Sequence, residues 1–266
     1  MIVIGVPFHL DEYLPDLDLT PEPAELITPE LITPELAAGE IWSRLAALYT
    51  AVARAVTRGR ADDRRPVVVA SGDCLTALGT VAGLQAADAD PAVVWFDAHG
   101  DVQTPETSSS GYLAGMALRL LTGYRPELIA SRLGLKPVPE DRIVLVGARD
   151  LDPPEVTYLD QSPIRRRQVT DLSVADLPDG PLYVHVDLDV IDAAQLPSLR
   201  YPTPGGPDAG QVADALSLVF GTGRVAAVGI ACSWFPGRGA ARLIAPYLEI
   251  ALATSRSNTD GTLLPP

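Results

Sequence analysis

Three side chains that can bind a divalent cation lie close together in the sequence, at Asp97, His99 and Asp101. They follow directly on the apolar run at residues 93–96. An apolar run bounded by polar residues is typical of a buried parallel strand, and α/β proteins place their chemistry at the carboxyl ends of such strands. One imidazole between two carboxylates is a suitable ligand set for a borderline cation such as manganese or zinc.

A second pair of carboxylates, Asp187 and Asp189, ends another strand-like run at residues 181–187. Residues two positions apart on a strand point the same way, so these carboxylates are expected to enter one cavity. Taken singly, an aspartate could cap a helix or form a turn, and His99 could be a buried core histidine. Together, four carboxylates and an imidazole predict a metal site, because so many anionic groups should not converge without cations. On the same run, His185 is expected to face away from the strand neighbours of Asp187 and to be structural.

These residues lie in motifs that resemble those of the ureohydrolases, the family of the arginases, agmatinases and formiminoglutamases. That family carries a Gly-Gly-Asp-His turn, an Asp-Ala-His-x-Asp strand end and an Asp-x-Asp-x-x-Asp strand end. The corresponding stretches here are Ser71–Cys74, Asp97–Asp101 and Asp187–Asp192. The resemblance covers most of the chain, from about Val67 to about Pro236. It implies an α/β fold, namely a three-layer α/β/α sandwich with a mostly parallel sheet of about eight strands, and a single domain over residues 1–266.

The resemblance also implies a site for two Mn²⁺ ions. The ligand positions would be Cys74, Asp97, His99, Asp101, Asp187 and Asp189. Asp97 and Asp187 would bridge the ions, Cys74 would share one ion with Asp101, and His99 would share the other with Asp189. Cys74 stands where the family has histidine, and a thiolate is softer than an imidazole and binds manganese less readily, so Zn²⁺ or Fe²⁺ is an alternative metal.

Cys74 has two further interpretations. Free cysteine is among the most buried residue types, so Cys74 could simply fill the core. Its position at the start of a predicted helix at residues 75–87 is expected to lower its pKa and favour the thiolate, which suits a metal ligand or a nucleophile. No partner histidine that would activate a nucleophile is evident in the sequence.

Substrate contacts also follow from the resemblance. Gln103 and Ser110 match positions that meet the amino-acid head of the substrate in arginases. Asp152, with Asp150 and Glu155 nearby, matches acidic residues that meet the α-ammonium group of that substrate.

Two features of the arginases are replaced in this chain. A histidine used for proton transfer is Ala114 here, so Asp101 is the expected catalytic proton donor, with Tyr112 as a further substrate contact that could move a proton. Ser233 or Trp234 occupies the place of a guanidinium-binding glutamate. An indole attracts a cation by about 0.5–2 kcal/mol but lacks the directed fork of a carboxylate. Trp234 is therefore a predicted substrate contact, and ordinary arginase activity is doubtful.

Composition excludes several classes of partner. A net charge of −14 argues against nucleic acid and anionic membranes, and the basic run at residues 165–167 is expected to be a solvated loop. No apolar run approaches the roughly 20 residues that span a bilayer, and the first residues lack the basic region of a secretion signal. With only two cysteines, the chain is expected in the cytoplasm.

Hydrophobic periodicity predicts alternating strands and helices, which is typical of a mostly parallel sheet covered on both faces. The predicted strands are 2–6, 67–70, 93–97, 143–147, 183–187 and 226–230, and the predicted helices are 40–58, 75–87, 111–121, 209–220 and 240–254. Residues 14–38, rich in proline and acid, are expected to form a surface loop, with a lid or a subunit contact as the alternative. Residues 255–266 are expected to form a loose tail.

The sequence thus predicts a binuclear metal-dependent hydrolase of the ureohydrolase type. It would cleave a linear C–N bond in a guanidine, hydroxyguanidine or amidine compound by means of a metal-bridging hydroxide. The competing hypothesis is a non-catalytic or metal-depleted scaffold with a regulatory or binding role. The expected partner is a small-molecule substrate. The resemblance also implies that the chain could form a homo-oligomer.

Overall fold

The computed structural model describes residues 2–15, 17, 30–62 and 65–231. Among them, ten strands form one large sheet and one small hairpin. The strands are β1 (Val3–Val6), β2 (Phe8–His9), β3 (Glu12–Tyr13), β4 (Glu30–Leu31), β5 (Val67–Ser71), β6 (Ala92–Phe96), β7 (Ile143–Val146), β8 (Arg165–Arg167), β9 (Leu182–Asp187) and β10 (Val225–Ala231). The large sheet has eight strands in the order β4-β1-β5-β10-β9-β6-β7-β8, and every pairing in it is parallel.

Six helices connect these strands in the described part of the chain. They are α1 (Ile41–Asp62), α2 (Thr76–Ala86), α3 (Ala117–Leu121), α4 (Ala130–Leu133), α5 (Pro153–Gln161) and α6 (Ala209–Gly221). None of them is long and apolar enough to cross a membrane.

The central strands bury both of their faces, so alternate residues enter two separate cores. Val67, Val93 and Leu145 point to the side covered by α1, α2 and α3. Val68 and Val94 point to the side covered by α6. Continuous apolar runs are required for strands buried in this way. The predicted three-layer α/β/α sandwich is confirmed.

The central strands begin and end within two residues of the prediction, but the edges of the sheet were missed. Residues 165–167, predicted to be a solvated loop, form β8 and pair with β7. Residues 30–31, inside the predicted acidic loop at 14–38, form β4 and pair with β1. Both edge strands are held by backbone hydrogen bonds and are largely exposed, so they carry no apolar pattern.

The predicted helix at 111–121 is also shorter than expected. A 3₁₀ turn at Ala114–Met116 precedes the five-residue α3. Gly111 has a φ of +69°, which a helix does not allow. The predicted helix at 240–254, the tail at 255–266 and residues 18–29 of the loop lie outside the described residues.

Two glycines allow α2 to lie against α1 at close range. A Cβ at Gly79 would lie 2.7 Å from the carbonyl oxygen of Tyr49, and one at Gly83 would lie 2.5 Å from that of Ala53. Real Cβ atoms do not approach backbone oxygens so closely, so the spacing of the two helices depends on these glycines. Because α2 follows the turn that carries Cys74, the same contact positions one wall of the site described below.

Replacing Gly83 with alanine is expected to lower the free energy of unfolding by about 1–3 kcal/mol, because the added methyl group overpacks the α1–α2 contact. In an open helical site the same change stabilises by about 0.5–1 kcal/mol. Gly221 at the end of α6 provides the matched control, since a Cβ there meets nothing within 4 Å. Denaturant unfolding of Gly83→Ala and Gly221→Ala should give effects of opposite sign, and a neutral Gly83→Ala would contradict the packing described here.

Candidate metal centre

The carboxyl ends of β5, β6 and β9 meet at one edge of the sheet, because these strands are parallel and close together in the strand order. A cavity of about 310 Å³ opens at this edge. Residues from all three strand ends line it, including Cys74 after β5, His99 and Asp101 after β6, and Asp187 and Asp189 at the end of β9. The structure thus brings together the groups that the sequence predicted as ligands.

Backbone hydrogen bonds link the ends of β6 and β9 through their carboxylates. Asp97 Oδ1 accepts from the backbone of His99 at 2.7 Å, and Asp187 Oδ1 accepts from the backbone of Asp189 at 2.9 Å. Asp189 Oδ1 accepts from the backbone of Ala98 at 3.0 Å, across the two motifs. Each of these carboxylates therefore has one oxygen anchored in a turn. The indole of Trp95 donates to Asp97 Oδ2 at 3.0 Å.

His99 lies between two of these carboxylates. Its Nδ1 is 2.9 Å from Asp189 Oδ2 and 3.5 Å from Asp97 Oδ1, and its Nε2 is 3.9 Å from the exposed Asp150. Burial alone would lower the pKa of His99, but the hydrogen bonds and charges of Asp189 and Asp97 outweigh it and raise the pKa to about 12. Without a metal, the imidazolium thus acts as the local counter-ion of two aspartates.

Cys74 is buried, and its Sγ lies 3.0 Å from Asp187 Oδ2. Burial, followed by the charges of Asp187, Asp101 and Asp97, raises the pKa of the thiol well above its usual range. The expectation that the helix N-terminus lowers this pKa is wrong for the metal-free protein, because three carboxylates outweigh the helix. A thiol held protonated in this way does not suit a free nucleophile, whereas a cation in the cluster would favour the thiolate.

Asp101 has the least satisfied carboxylate of the cluster. Its backbone is in the left-handed region with a φ of +53°, and within the described part of the chain its buried Oδ2 has no hydrogen-bond partner. Burial and the charge of Asp97 raise its pKa well above the usual range. The loop around it is tight, because a Cβ at Gly100 would lie 2.8 Å from Glu155 Oε1. Glu155 in turn accepts from the backbone of Val102 at 3.3 Å.

The donor set fits divalent cations. Burial comes first among the causes that raise the pKa values of Asp97, Asp101 and Asp187, and repulsion between these carboxylates adds to it. Cations would remove that repulsion and give the unpartnered Asp101 Oδ2 a partner. The ligand atoms of Asp97, His99 and Asp189 lie within 4.8 Å of one another.

A second group of three potential metal ligands contains His185, which the sequence did not predict as a ligand. Cys74, Asp97 and His185 each offer a ligand atom within 4.8 Å of the other two. His185, interpreted as structural from the sequence, does not line the cavity, but it lies two positions before Asp187, and the two-residue period of a strand puts both side chains on one face. Burial lowers the pKa of His185 to about 3, so its imidazole is neutral. Asp97 belongs to both groups.

Arg149 holds the loop that follows β9, a role that the sequence did not indicate. Its Nη2 donates to the carbonyls of Asp189 and Thr203 at 3.0 and 2.8 Å, and its Nη1 donates to that of Val190 at 3.0 Å. Its Nε donates to the carbonyl of Pro204 at 3.1 Å. A fork of five N–H donors suits such a set of acceptors. In the sequence, Arg149 is flanked by small residues on one side and by two aspartates on the other. This pattern does not reveal that its guanidinium binds backbone carbonyls.

The last aspartate of the third motif, Asp192, lies apart from this cluster. It accepts from the backbone of Ala194 at 2.8 Å, Gly205 at 2.7 Å and Gly206 at 3.0 Å. These hydrogen bonds lower its pKa. Asp192 therefore shapes the loop after β9 rather than contributing to the donor set.

The predicted substrate contacts surround the mouth of the cavity. Gln103 is buried and its amide nitrogen donates to Asp152 Oδ2 at 2.8 Å, while its carbonyl oxygen accepts from Thr107 at 2.7 Å. Asp152 caps α5 together with Glu155, so its carboxylate has a fixed position at the rim. Thr107, which sequence reasoning missed, fixes the orientation of the Gln103 amide.

The other side of the mouth is aromatic and hydroxylic. Ser110 and Tyr112 line it, together with Tyr201, whose ring centroid is 5.0 Å from that of Tyr112. Ala114 also lines the cavity, so the position at which arginases carry the proton-transferring histidine faces the site but offers only a methyl group. Trp234, the remaining predicted substrate contact, lies outside the described residues.

Comparison with known proteins places this chain in a family. The sequence model of the Arginase family matches residues 2–232. The chain belongs to the arginase family. This confirms the resemblance predicted from the three motifs, and it does not favour the hypothesis of a non-catalytic scaffold.

Family members of known activity match in part. The arginase of Neurospora crassa is 34% identical over 167 residues, which are 55% of this chain and 47% of that protein. The N(omega)-hydroxy-L-arginine amidinohydrolase of Streptomyces lavendulae is 32% identical over 160 residues, which are 59% of this chain and 56% of the relative. The chain spans about half the length of the curated relatives it matches.

A solved structure of the family extends the likeness in fold to the whole chain. The arginase of Bacillus cereus superposes with a TM-score of 0.77 over 99% of both chains, at 23% sequence identity. At that identity the likeness concerns the fold alone.

The raised pKa of Asp187 predicts how stability depends on pH. In the unfolded chain this carboxyl ionises near pH 4, whereas the folded metal-free protein keeps it protonated to higher pH. The folded state then binds more protons, so the metal-free protein should lose stability as the pH rises from about 4 towards neutrality. Asp187→Asn, which cannot titrate, should lose less over the same range in denaturant unfolding without metal.

Added Mn²⁺ or Zn²⁺ should reverse this dependence of stability on pH. Metal binding needs the ionised carboxylate, so the stabilisation of the unaltered protein should grow with pH, while Asp187→Asn should gain much less. Equal pH profiles for the two proteins, without and with metal, would show that Asp187 does not ionise as described.

Proposed function

We propose that the protein is a metal-dependent hydrolase that cleaves a linear C–N bond in a guanidine, hydroxyguanidine or amidine compound. The observation that carries the proposal is the convergence of Asp101, Asp187, Asp189, His99 and Cys74 on a cavity of about 310 Å³, with the buried Asp97 next to them. A cavity of this volume suits a small molecule. Family membership and the partial matches to an arginase and to a hydroxyarginine amidinohydrolase support the reaction class.

Within this proposal, the two donor groups that share Asp97 would hold two cations, Mn²⁺ or, next to the thiol, Zn²⁺ or Fe²⁺. Asp97 and Asp187 are the proposed bridging ligands. Cys74 and Asp101 would complete one position, and His99 and Asp189 the other. When bound, two divalent cations supply a hydroxide near neutral pH, because they lower the pKa of a water that they share.

The side chains of the protein would then do three things. Asp101, whose buried carboxyl group has a raised pKa, would carry a proton to the leaving amine. Ala114 cannot perform that step, and the half-buried Tyr112 is the further proposed proton donor at the cavity. Gln103, Ser110 and Asp152 at the mouth would orient a polar substrate and exclude alternative poses. Trp234 is a further proposed contact.

The test is product release from a panel of substrates. Arginine, agmatine, N-hydroxyarginine and a formimino amino acid should be incubated with protein loaded with Mn²⁺, Zn²⁺ or Fe²⁺, and urea or ammonia measured. Turnover of at least one compound, its loss with a chelator and its return with metal are expected. No release from any compound with any metal would favour the scaffold hypothesis instead.

The acidic rim predicts recognition of a cationic group on the substrate. Asp152→Asn keeps the cap of α5 and the size of the side chain but removes the charge, so it should raise KM by about 10–100-fold with little change in kcat, the equivalent of a lost charged hydrogen bond. Asp160→Asn on the same helix is the matched control, because Asp160 pairs with Arg166 at 2.6 Å and does not line the cavity. Equal KM values for the two variants would remove Asp152 from the substrate site.

A further inference from the structure

His185 is a buried histidine whose two ring nitrogens differ in their hydrogen-bond contacts. It lies on β9 and is 1% exposed. Its ring stacks on the indole of Trp95, with 3.7 Å between the centroids and 20° between the planes. Its Nδ1 lies 3.1 Å from the hydroxyl of Tyr183, but its buried Nε2 has no hydrogen-bond partner among the residues that the structure describes. A buried imidazole nitrogen without a partner is rare and points to a missing ligand.

The Tyr183 contact sets up the ring for metal binding. If Nδ1–H donates to the hydroxyl oxygen of Tyr183, Nε2 carries a free lone pair. Histidines that bind metals are regularly held this way, since a hydrogen bond at the other nitrogen fixes the tautomer and the orientation of the ring. Stacking on Trp95 restricts the ring further. His185 is therefore preorganised as a neutral nitrogen donor.

A thiol and a carboxylate lie close to the imidazole of His185. The ligand atoms of His185, Cys74 and Asp97 all lie within 4.8 Å of one another, and all three residues are buried. A tetrahedral zinc ion held by a thiolate at about 2.3 Å and an imidazole at about 2.1 Å keeps the two donor atoms about 3.6 Å apart. The group thus needs to close by at most about 1.2 Å around an ion.

We infer that Cys74, Asp97 and His185 form a nitrogen-sulfur-oxygen site that selects Zn²⁺ over Mn²⁺ at the thiol end of the metal centre. The inference rests on the metal centre of the proposed function, but it requires no turnover. Thiolate and imidazole are donors that zinc prefers, whereas manganese is suited by carboxylates and water. On binding, the Zn–S bond replaces the S–H bond of Cys74, and the proton leaves to solvent.

The two ends of the centre would then hold different metals. The other group, Asp97, His99 and Asp189, offers two carboxylates and one imidazole and no sulfur. Such a set accepts Mn²⁺. Asp97 is the residue common to both groups. The centre would therefore be a mixed Zn²⁺–Mn²⁺ pair in which Asp97 is a ligand of both ions.

Metal content and spectroscopy test this assignment directly. After exposure to one equivalent of Zn²⁺ and an excess of Mn²⁺, the purified protein should hold one equivalent of each by elemental analysis. Loaded with Co²⁺ in place of zinc, it should show the near-ultraviolet charge-transfer band of a cobalt thiolate, and Cys74→Ser should abolish that band. Two manganese ions per chain, or cobalt bound without that band, would overturn the inference.

His185 is tested with a matched pair of variants. His185→Asn removes the donor and should weaken Zn²⁺ binding by about 10–100-fold in competition with a chromophoric chelator, and it should change the visible bands of the cobalt protein. Tyr183→Phe alters the same buried site but keeps all three donors, so it should weaken binding less. Equal zinc affinities for His185→Asn and the unaltered protein would overturn the role of His185.

X-ray absorption at the zinc edge of the unaltered protein gives the same answer if His185→Asn does not fold. One sulfur and at least one imidazole around the same zinc ion are expected, and a shell without sulfur would overturn the inference. Failure here with turnover intact would leave the proposed function standing, whereas the expected metal data without turnover would refute only the proposed function.

Discussion

Electrostatic repulsion between buried carboxylates is the constraint on which the rest of this structure depends. Asp97, Asp101 and Asp187 are drawn out of water at one sheet edge, and burial and mutual repulsion raise all three pKa values. Neither a close-packed sheet nor an apolar core relieves this repulsion, because a buried charge needs a partner of opposite sign. In the metal-free protein, His99 and the protons on the acids are that partner, and divalent cations would replace them.

The surrounding structure is arranged to hold these carboxylates while they repel one another. Asp97, Asp187 and Asp189 each accept a backbone hydrogen bond from a turn at the end of β6 or β9. Arg149 spans the loop after β9 through backbone carbonyls, which adds a positive charge near the cluster without neutralising it by direct pairing. Acceptor oxygens fixed in this way hold each carboxylate in one orientation, and the second oxygens of Asp187 and Asp189 face Cys74 and His99, which is the preorganisation that a metal site needs.

The chemical character of the centre differs between its two ends. The thiol of Cys74 and the imidazole of His185 are buried, whereas His99 is partly exposed at the cavity. A softer, more buried end and a harder, more exposed end in one cluster would allow two cations to be distinguished by ligand type rather than by size. The cavity mouth, with Gln103, Asp152 and two tyrosines, is built separately by the loop after β6, the start of α5 and the loop after β9.

The sequence alone determined the donors and the central strands. The apolar runs that precede Asp97 and Asp187 have no other stable place than the middle of a sheet covered on both faces, and residue type decides which atoms can bind a metal. Only the tertiary structure decided which groups meet. Strand order brings His185 to Cys74 and Asp97, and loop closure brings Arg149 to carbonyls more than 40 residues away. The edge strands β4 and β8 were likewise not predicted from the sequence. Backbone hydrogen bonds and contacts between distant segments leave no periodic pattern in the side chains, so no local reading of the chain can reveal them.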